Sequence, residues 1–306
     1  MDAPHITLFS TPLVSTWVFD ETHRILFDAG DGVTALLDSK IHKIRLAAIT
    51  HTHRDHCAGL MQLLNLRGGA GDYVTVFPEG SGSARAFTSF LAAFDSRSTS
   101  KVRFHPLSLE EPLPIEPDRH FLRGFETDHY PPPPEGQQLK PRSMGYQIVR
   151  HVDKVKPELR GLPQTELDAL RLQHGKGFLT ETKEDILFTI TGDTMPLPPE
   201  TFAGSRVLMH ECTFLSIDEK CELADRGHPH TCLEEVLEIA AAAGVGRLGL
   251  YHVSRRYEDD TILTQVRCQC ERLAIPFPVS VALPGRMYDD FFAYAVWQGT
   301  SAQPSK

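Results

Sequence analysis

The octapeptide Ile49-Thr50-His51-Thr52-His53-Arg54-Asp55-His56 constrains this chain more than any other stretch. It reads H-x-H-x-D-H directly behind the apolar run Ile44-Arg45-Leu46-Ala47-Ala48-Ile49, the pattern of a buried strand delivering a polar loop. Residues two apart on an extended strand point the same way, so the imidazoles of His51 and His53 can converge on one ion. Asp55 and His56 follow where the chain is expected to turn into a helix over residues 57–64, within reach of a second ion beside the first. Four nitrogen and oxygen ligands with no thiolate suit zinc or another borderline divalent metal. The competing reading is a solvated loop in which three histidines and an aspartate happen to be neighbours, and few pairings other than a metal accommodate so dense a group.

The 306 residues are enough for a sizeable core, and 41% hydrophobic with 23% charged side chains is the balance of an ordinary globular protein. Forty acidic against 31 basic residues give a net charge of −9, so the molecule as a whole repels nucleic acid and any RNA binding has to be local. No stretch approaches 18 uninterrupted apolar residues, and the start, Met1-Asp2-Ala3-Pro4-His5, has neither a basic region nor a long apolar core; the expectation is a cytoplasmic protein with no membrane partner. Six cysteines without a tight framework fit reduced thiols. Cys268-Gln269-Cys270 falls in an expected helix without a second cysteine pair to complete a zinc site.

Apolar runs at residues 6–9, 14–19 and 25–28 read as a strand meander, followed by the turn chemistry of Asp28-Ala29-Gly30-Asp31-Gly32 and a short helix to about Leu37. A strand at 73–77 and a helix at 83–94 come next, then strands within 102–128, the last ending at Asp128-His129-Tyr130 ahead of Pro131-Pro132-Pro133-Pro134, an extended loop. Residues 144–149 restart the sheet. From about 150 to 184 the chain turns polar, with a helix near 166–171, and reads as an insertion rather than core. Strands at 186–191, 207–209 and 247–251 then deliver Gly192-Asp193-Thr194, His210-Glu211 and His252, with a helix at 231–243 between the last two. A strand ending in His or Asp is the recurring feature.

A two-metal hydrolase needs two triads of ligands and a carboxylate between them, and His129, Asp193 and His252 stand at strand ends to complete the first loop. The order H-x-H-x-D-H, a later His before a Gly-Tyr strand, G-D-T, His210-Glu211-Cys212-Thr213-Phe214, an H-T pair and finally His252-Val253-Ser254-Arg255-Arg256-Tyr257 resembles the metallo-β-lactamase superfamily, and within it the ribonuclease Z group of tRNA 3′-processing endonucleases. The resemblance covers most of the chain, from Asp28 to Tyr257, with Asp31 standing where the family usually carries Glu. It implies one domain over 1–306, an αββα sandwich of two mixed β-sheets flanked by helices, with a shortened arm-like insertion at about 150–184.

It further implies two zinc ions per chain, with manganese as the alternative metal. His51, His53 and His129 would hold one and Asp55, His56 and His252 the other, with Asp193 bridging. Asp55, Glu211 and His230 are the candidate catalytic residues, Glu211 and His230 supplying the proton that the leaving oxygen needs. His228 is read as a surface loop residue, and His210 as either structural or near the metals. Ser254 and Arg256 are candidate substrate contacts, with a helix cap and a helix-start salt bridge as their respective alternatives. Asp28 and Asp31 would orient ligating imidazoles through their other nitrogens. The expected substrate is precursor tRNA, losing its 3′ trailer, and the expected assembly a homodimer. The arm, however, interleaves Arg150, Lys154, Lys156, Arg160, Arg171 and Lys176 with Asp153, Glu158, Glu166 and Asp168, a weak footprint for a polyanion. A small-molecule hydrolase acting on phosphodiesters, lactones or β-lactams therefore stays open, as does a non-catalytic binding protein with a relic site.

Overall fold

The computed structural model describes residues 4–67, 70–95, 103–131, 140–224 and 230–300. Its strands form two sheets. One has the order β14 (Met287–Tyr288), β1 (Ile6–Thr11), β2 (Ser15–Asp20), β3 (Ile25–Phe27), β4 (Leu46–Ala48), β5 (Val74–Pro78) and β6 (Phe104–Leu107). The other runs β15 (Ala295–Trp297), β13 (Val279–Val281), β12 (Leu248–Tyr251), β11 (Leu208–Glu211), β10 (Thr180–Ile190), β9 (Met144–Val155), β8 (His120–Glu126) and β7 (Leu113–Ile115). Both are mixed: β3 through β6 are parallel, as are β10 through β13, while the outer pairs are antiparallel.

Side-chain alternation turns these sheets into four layers. Phe27, Tyr146, Phe188, Met209 and Tyr251 point between the sheets and pack into one interior. Leu26 and Ala47, one residue out of phase with that set, face the helices Val33–Leu37, Leu60–Arg67 and Gly82–Phe94. Leu208 and Leu250 face the helices Leu233–Ala243 and Asp259–Arg272 on the far side. Strands buried on both faces carry continuous apolar runs, which is why β4, β11 and β12 were so plain in the sequence. The result is helix, sheet, sheet, helix.

Two local differences from the sequence reading have physical causes. The helix expected at 57–64 is two helices, Arg54–Cys57 and Leu60–Arg67, so Asp55 and His56 lie inside a helical turn rather than ahead of one. The break falls at Gly59, where a Cβ would stand 2.2 Å from the Gly30 carbonyl oxygen; the chain passes too close to its neighbour to continue straight. The sheet does not lapse between Arg150 and Ile186: β9 and β10 stay paired out to Val155↔Thr180 as a ribbon, tipped by the helix Gln164–His174, which buries no residue. A ribbon exposed on both faces has no reason to alternate apolar with polar, so periodicity could not reveal it. Cys268 and Cys270 share the helix Asp259–Arg272, but Cys268 is exposed and Cys270 lies in the core.

Just past the end of β2, Glu21 accepts hydrogen bonds from Lys40 at 2.5 Å, Lys43 at 2.9 Å and Thr7 at 3.0 Å. Burial by itself would raise its carboxyl, but these donors outweigh it and hold the group at about 2. A depressed folded-state value stabilises the protein fully above the ordinary carboxyl value of about 4.5 and loses that contribution as pH falls toward 2. Glu21→Gln is therefore expected to unfold at lower urea than the parent at pH 7, with the gap between the two closing as the titration approaches pH 2.

Candidate metal centre

Every candidate ligand sits just past the C-terminal end of a strand, at one end of the sandwich. From the first sheet, β4 delivers Thr50 and His51, and the turn His53 to His56 follows at once. From the second, β8 leads to His129, β10 to Asp193, β11 ends on Glu211, and β12 leads to His252. The site is thus a seam to which both sheets contribute. Gly192 shows how tight that seam is: it adopts φ 69°, its N–H is held by the Tyr251 hydroxyl at 2.8 Å, and a Cβ there would meet the Thr50 side chain at 2.7 Å. Tyr146 ties the sheets together below, donating its hydroxyl to the Ile49 carbonyl at 2.7 Å.

The ligand atoms fall into two groups. One atom each from His51, His53, His129 and Asp193 lie within 4.8 Å of one another, and so do one atom each from Asp55, His56 and His252. Asp193 touches both: Oδ2 is 3.7 Å from His51 Nε2 and 3.5 Å from His252 Nε2, while Oδ1 is 3.4 Å from His56 Nε2. A third grouping, Asp193 with His230 and His252, overlaps the second. An exposed group of His5, Glu21 and Asp289 is already threaded by the Lys40 ammonium, which bonds both carboxylates.

The fold implies divalent metal, and the orphaned atoms test whether these residues fit one. His51 Nε2, His56 Nε2, His129 Nδ1, Asp193 Oδ1 and His252 Nε2 are all buried without a hydrogen-bond partner. Buried polar atoms are almost always paired, so five of them converging on one spot fit a divalent cation. Electrostatics agree at His51, His129, Asp55 and Asp193, whereas at His56 burial is outweighed by the neighbouring Asp193 and Asp28, which hold the imidazole well above its ordinary range. Burial, reinforced by His56, pushes His51 well below the ordinary imidazole range, and burial carries His129 down to about 4. Burial opposes ionisation of Asp55, but His252 and His56 hold it at about 2. Asp193 likewise stays well below its ordinary value despite burial, because His252, His56 and His51 surround it. Neutral imidazoles and ionised carboxylates are the forms that bind metal.

Behind the ligands stand buried oxygens. Asp28, at φ 59°, accepts from His56 Nδ1 at 2.8 Å and from the Thr50 N–H at 2.7 Å. Asp55 Oδ2 accepts from the Leu13 N–H at 2.9 Å. Glu211 is buried, and its carboxylate collects donors: the N–H groups of Thr231 at 2.9 Å and Thr213 at 3.0 Å, His230 Nδ1 at 3.1 Å and the Thr213 hydroxyl at 2.9 Å. Although burial opposes it, His230 keeps Glu211 below its ordinary value, and Glu211 in turn lifts His230 to about 9.

Some candidates fall elsewhere. Asp31 is exposed, and among the described residues no hydrogen bond joins its carboxylate to an imidazole; only its backbone carbonyl is engaged, by Ser15. The turn carrying it bends away from the site once Asp28 has been placed. His210 is out of phase with Glu211 on β11, so it faces Phe202 and the outer helices rather than the ligands. Ser254 does not cap the helix Asp259–Arg272, whose cap residue is Glu258; its hydroxyl accepts from Arg256 Nε at 3.1 Å. Arg256 is exposed at the mouth, its guanidinium 5.6 Å from the Phe214 ring centre. His228 lies outside the described residues, as do Pro132 to Pro134. Sequence reasoning missed Thr50 and Thr213, which bond both a carboxylate and an imidazole, and Tyr130, whose ring lies 5.7 Å from His53 and 5.3 Å from His129. Nothing in their spacing signals these roles, though each adjoins a motif residue.

The comparisons follow this geometry. A family model for a β-lactamase superfamily domain matches residues 23–155. Ribonuclease Z of Listeria innocua is 29% identical over 285 residues, 84% of this chain and 87% of that protein. Ribonuclease Z of Sulfolobus acidocaldarius is 27% identical, covering 85% and 89%. Among solved structures, the metallo-β-lactamase fold protein YhfI from Bacillus subtilis superposes with a TM-score of 0.60 at 14% identity over 94% of this chain and 99% of its own. The short form of human tRNase Z gives 0.59 at 16% identity over 92% and 98%.

Asp28→Ala strips partners from His56 and Thr50 at once and is expected to cost about 3–5 kcal/mol in urea unfolding. Asp31→Ala, on an exposed side chain, should stay within about 0.5 kcal/mol of the parent. Sequence and architecture together identify the chain as a metallo-β-lactamase-fold protein that resembles ribonuclease Z.

Proposed function

We propose that this chain is a metal-dependent phosphodiesterase of the ribonuclease Z type that removes the 3′ trailer of precursor tRNA. The observation that carries the reading is the pair of ligand groups sharing Asp193, set beside a buried Glu211–His230 pair. His51, His53 and His129 would hold one cation and Asp55, His56 and His252 the other, with Asp193 between them. Zinc suits this donor set best, and manganese is the alternative. When bound there, divalent metal would acidify water and neutralise the charge that builds up on a phosphodiester during displacement.

The chain's own residues supply what cations cannot. The leaving ribose oxygen needs a proton, and His230 is built to keep one: Glu211 grips its Nδ1 and raises the ring to about 9, leaving Nε2 free to donate. The donors gathered on Glu211 leave that carboxylate no freedom to turn, so His230 is held in one orientation. At the rim, Arg256 presents a guanidinium fork suited to phosphate, braced on Ser254 and Phe214. The resemblance also implies a homodimer and a cytoplasmic setting. Among the described residues no helix is long and apolar enough to cross a membrane.

One observation favours a smaller phosphodiester as the substrate. Several basic residues on or beside the β9–β10 ribbon are already paired with acids: Arg150 with Asp185, Arg119 with Asp153, and Arg160 and Lys183 with Glu181. A surface neutralised in this way offers little to a polyanion.

The test is cleavage of a 3′-extended precursor tRNA by zinc-loaded protein with the cut mapped. A single cut just past the discriminator base is expected, absent from Asp193→Ala, which should also lose metal. No cut, with the same preparation hydrolysing bis(p-nitrophenyl) phosphate, would move the protein to the small-substrate reading. Glu211→Gln and His230→Ala are expected to keep their metal while the chemical step slows by roughly 10²–10⁴, read as single-turnover rate against metal content.

A further inference from the structure

Each sheet contributes one threonine in the same relation to the site. Thr50 Oγ1 lies 3.0 and 2.9 Å from the two oxygens of Asp28, and 3.1 Å from His51 Nδ1. Thr213 Oγ1 lies 2.9 Å from Glu211 Oε2, and 3.0 Å from His252 Nδ1. All six residues are buried. We infer that Thr50 and Thr213 are positioning residues, each the middle of a carboxylate–threonine–histidine relay that fixes the tautomer of His51 and of His252 and turns the opposite ring nitrogen toward Asp193.

A hydroxyl has one proton to give. Asp28 also accepts from the Thr50 N–H and from His56, and Glu211 from the N–H groups of Thr213 and Thr231 and from His230, so both carboxylates act as acceptors. A threonine oxygen facing such a carboxylate at 2.9 Å has to donate to it, since two acceptors at that distance repel. Thr213 has a second oxygen in reach, the His252 carbonyl at 3.2 Å, and donation there spends the proton on an oxygen just the same. In either case only lone pairs are left for the imidazole. Nδ1 must then carry the hydrogen, and Nε2 keeps its lone pair.

Those Nε2 atoms are two of the orphaned ones, and they approach Asp193 Oδ2 from opposite sheets, at 3.7 Å for His51 and 3.5 Å for His252. The relays therefore set one ligand in each of the two groups. Direct carboxylate contact does the same for His56 through Asp28, whereas His51 and His252 are one atom too far from their carboxylates and need the hydroxyl to span the gap. Groups that orient a ligating histidine in this way typically govern metal affinity by 10–100-fold.

The inference rests on the metal reading, and the test separates the two. Valine keeps the shape of threonine without the hydroxyl, and serine keeps the hydroxyl. Zinc affinity is measured by competition with a chromophoric chelator for the wild type, Thr50→Val, Thr213→Val, Thr50→Ser and Thr213→Ser. Zinc binding 10–100-fold weaker in both valine variants, with the serine variants close to the wild type, supports the relays. Valine variants that bind zinc as the wild type does, or serine variants as weak as valine, overturn them. A wild type that binds no zinc overturns the metal reading and the relays with it. Should a valine variant fail to fold, long-range ¹H–¹⁵N correlation spectra of the zinc-loaded wild type decide independently. Hydrogen on Nδ1 of His51 and His252 is the expected result, and hydrogen on Nε2 of either ring overturns the assignment.

Discussion

The seam of unpaired, buried ligand atoms around Asp193 is the constraint on which the rest of this structure depends. Bringing three carboxylates and four imidazoles into so small a volume, away from water, is unfavourable by desolvation and by repulsion among like groups. Part of that cost is offset inside the protein, since His56 stands between Asp28 and Asp193, and His252 between Asp55 and Asp193. The atoms left over, all aimed inward, are matched only by positive charge from outside the chain. Two rigid sheets with shared apolar packing are what make such convergence tolerable. A loop could not hold these groups against the tendency of each to seek water.

Backbone strain marks where the sheets pay out their ligands. Asp28 at φ 59° and His252 at φ 61° adopt the left-handed region although neither is glycine, and each follows a buried strand. Hydrogen bonds fix both in place: the Asp28 N–H donates to the Ala48 carbonyl at 2.9 Å, and the His252 N–H to the Ser10 hydroxyl at 2.9 Å. A strand that simply continued would send its next side chain to the opposite, helix-covered face of the sheet, since Phe27 and Tyr251 point between the sheets. The reversal of φ turns the carboxylate of Asp28 under His56 and the imidazole of His252 toward Asp193. The strain is local, and the surrounding hydrogen bonds over-determine it.

Much of this was legible in the sequence, for a physical reason. Strands buried on both faces leave apolar runs, and a metal loop at the end of such a strand leaves His and Asp at fixed spacing; the two signals together located His51 through His56, and strand ends offered His129, Asp193 and His252. What the sequence hid was whatever lacked a period or a distinctive residue type. The β9–β10 ribbon carries no core alternation, so its pairing to Val155 and Thr180 left no trace. Thr50 and Thr213 are ordinary threonines whose importance lies in a partner far along the chain. Asp31 had the right chemistry in the right turn but is placed on the outside of it, a distinction that only three-dimensional geometry makes.

The ligand seam and the β9–β10 ribbon are specified with different strictness. The seam is tightly coupled, because Asp193 approaches His51 and His56 of the other sheet and His252 of its own. The ribbon bears no such burden: the helix Gln164–His174 buries nothing, and several basic side chains on or beside the ribbon are balanced by acids. A substrate that is recognised through phosphate charge must therefore find its cations near the mouth, where Arg256 lies over Phe214 and Arg142 lies 4.6 Å from the ring centre of Tyr130. These two guanidinium groups are braced on aromatic faces beside the ligands, one following His252 and the other close to His129, so the local positive charge that the net −9 of the chain demands is concentrated where the reacting phosphate would sit. Under the proposed function, recognition would begin at the scissile bond and extend outward, rather than start from a remote clamp.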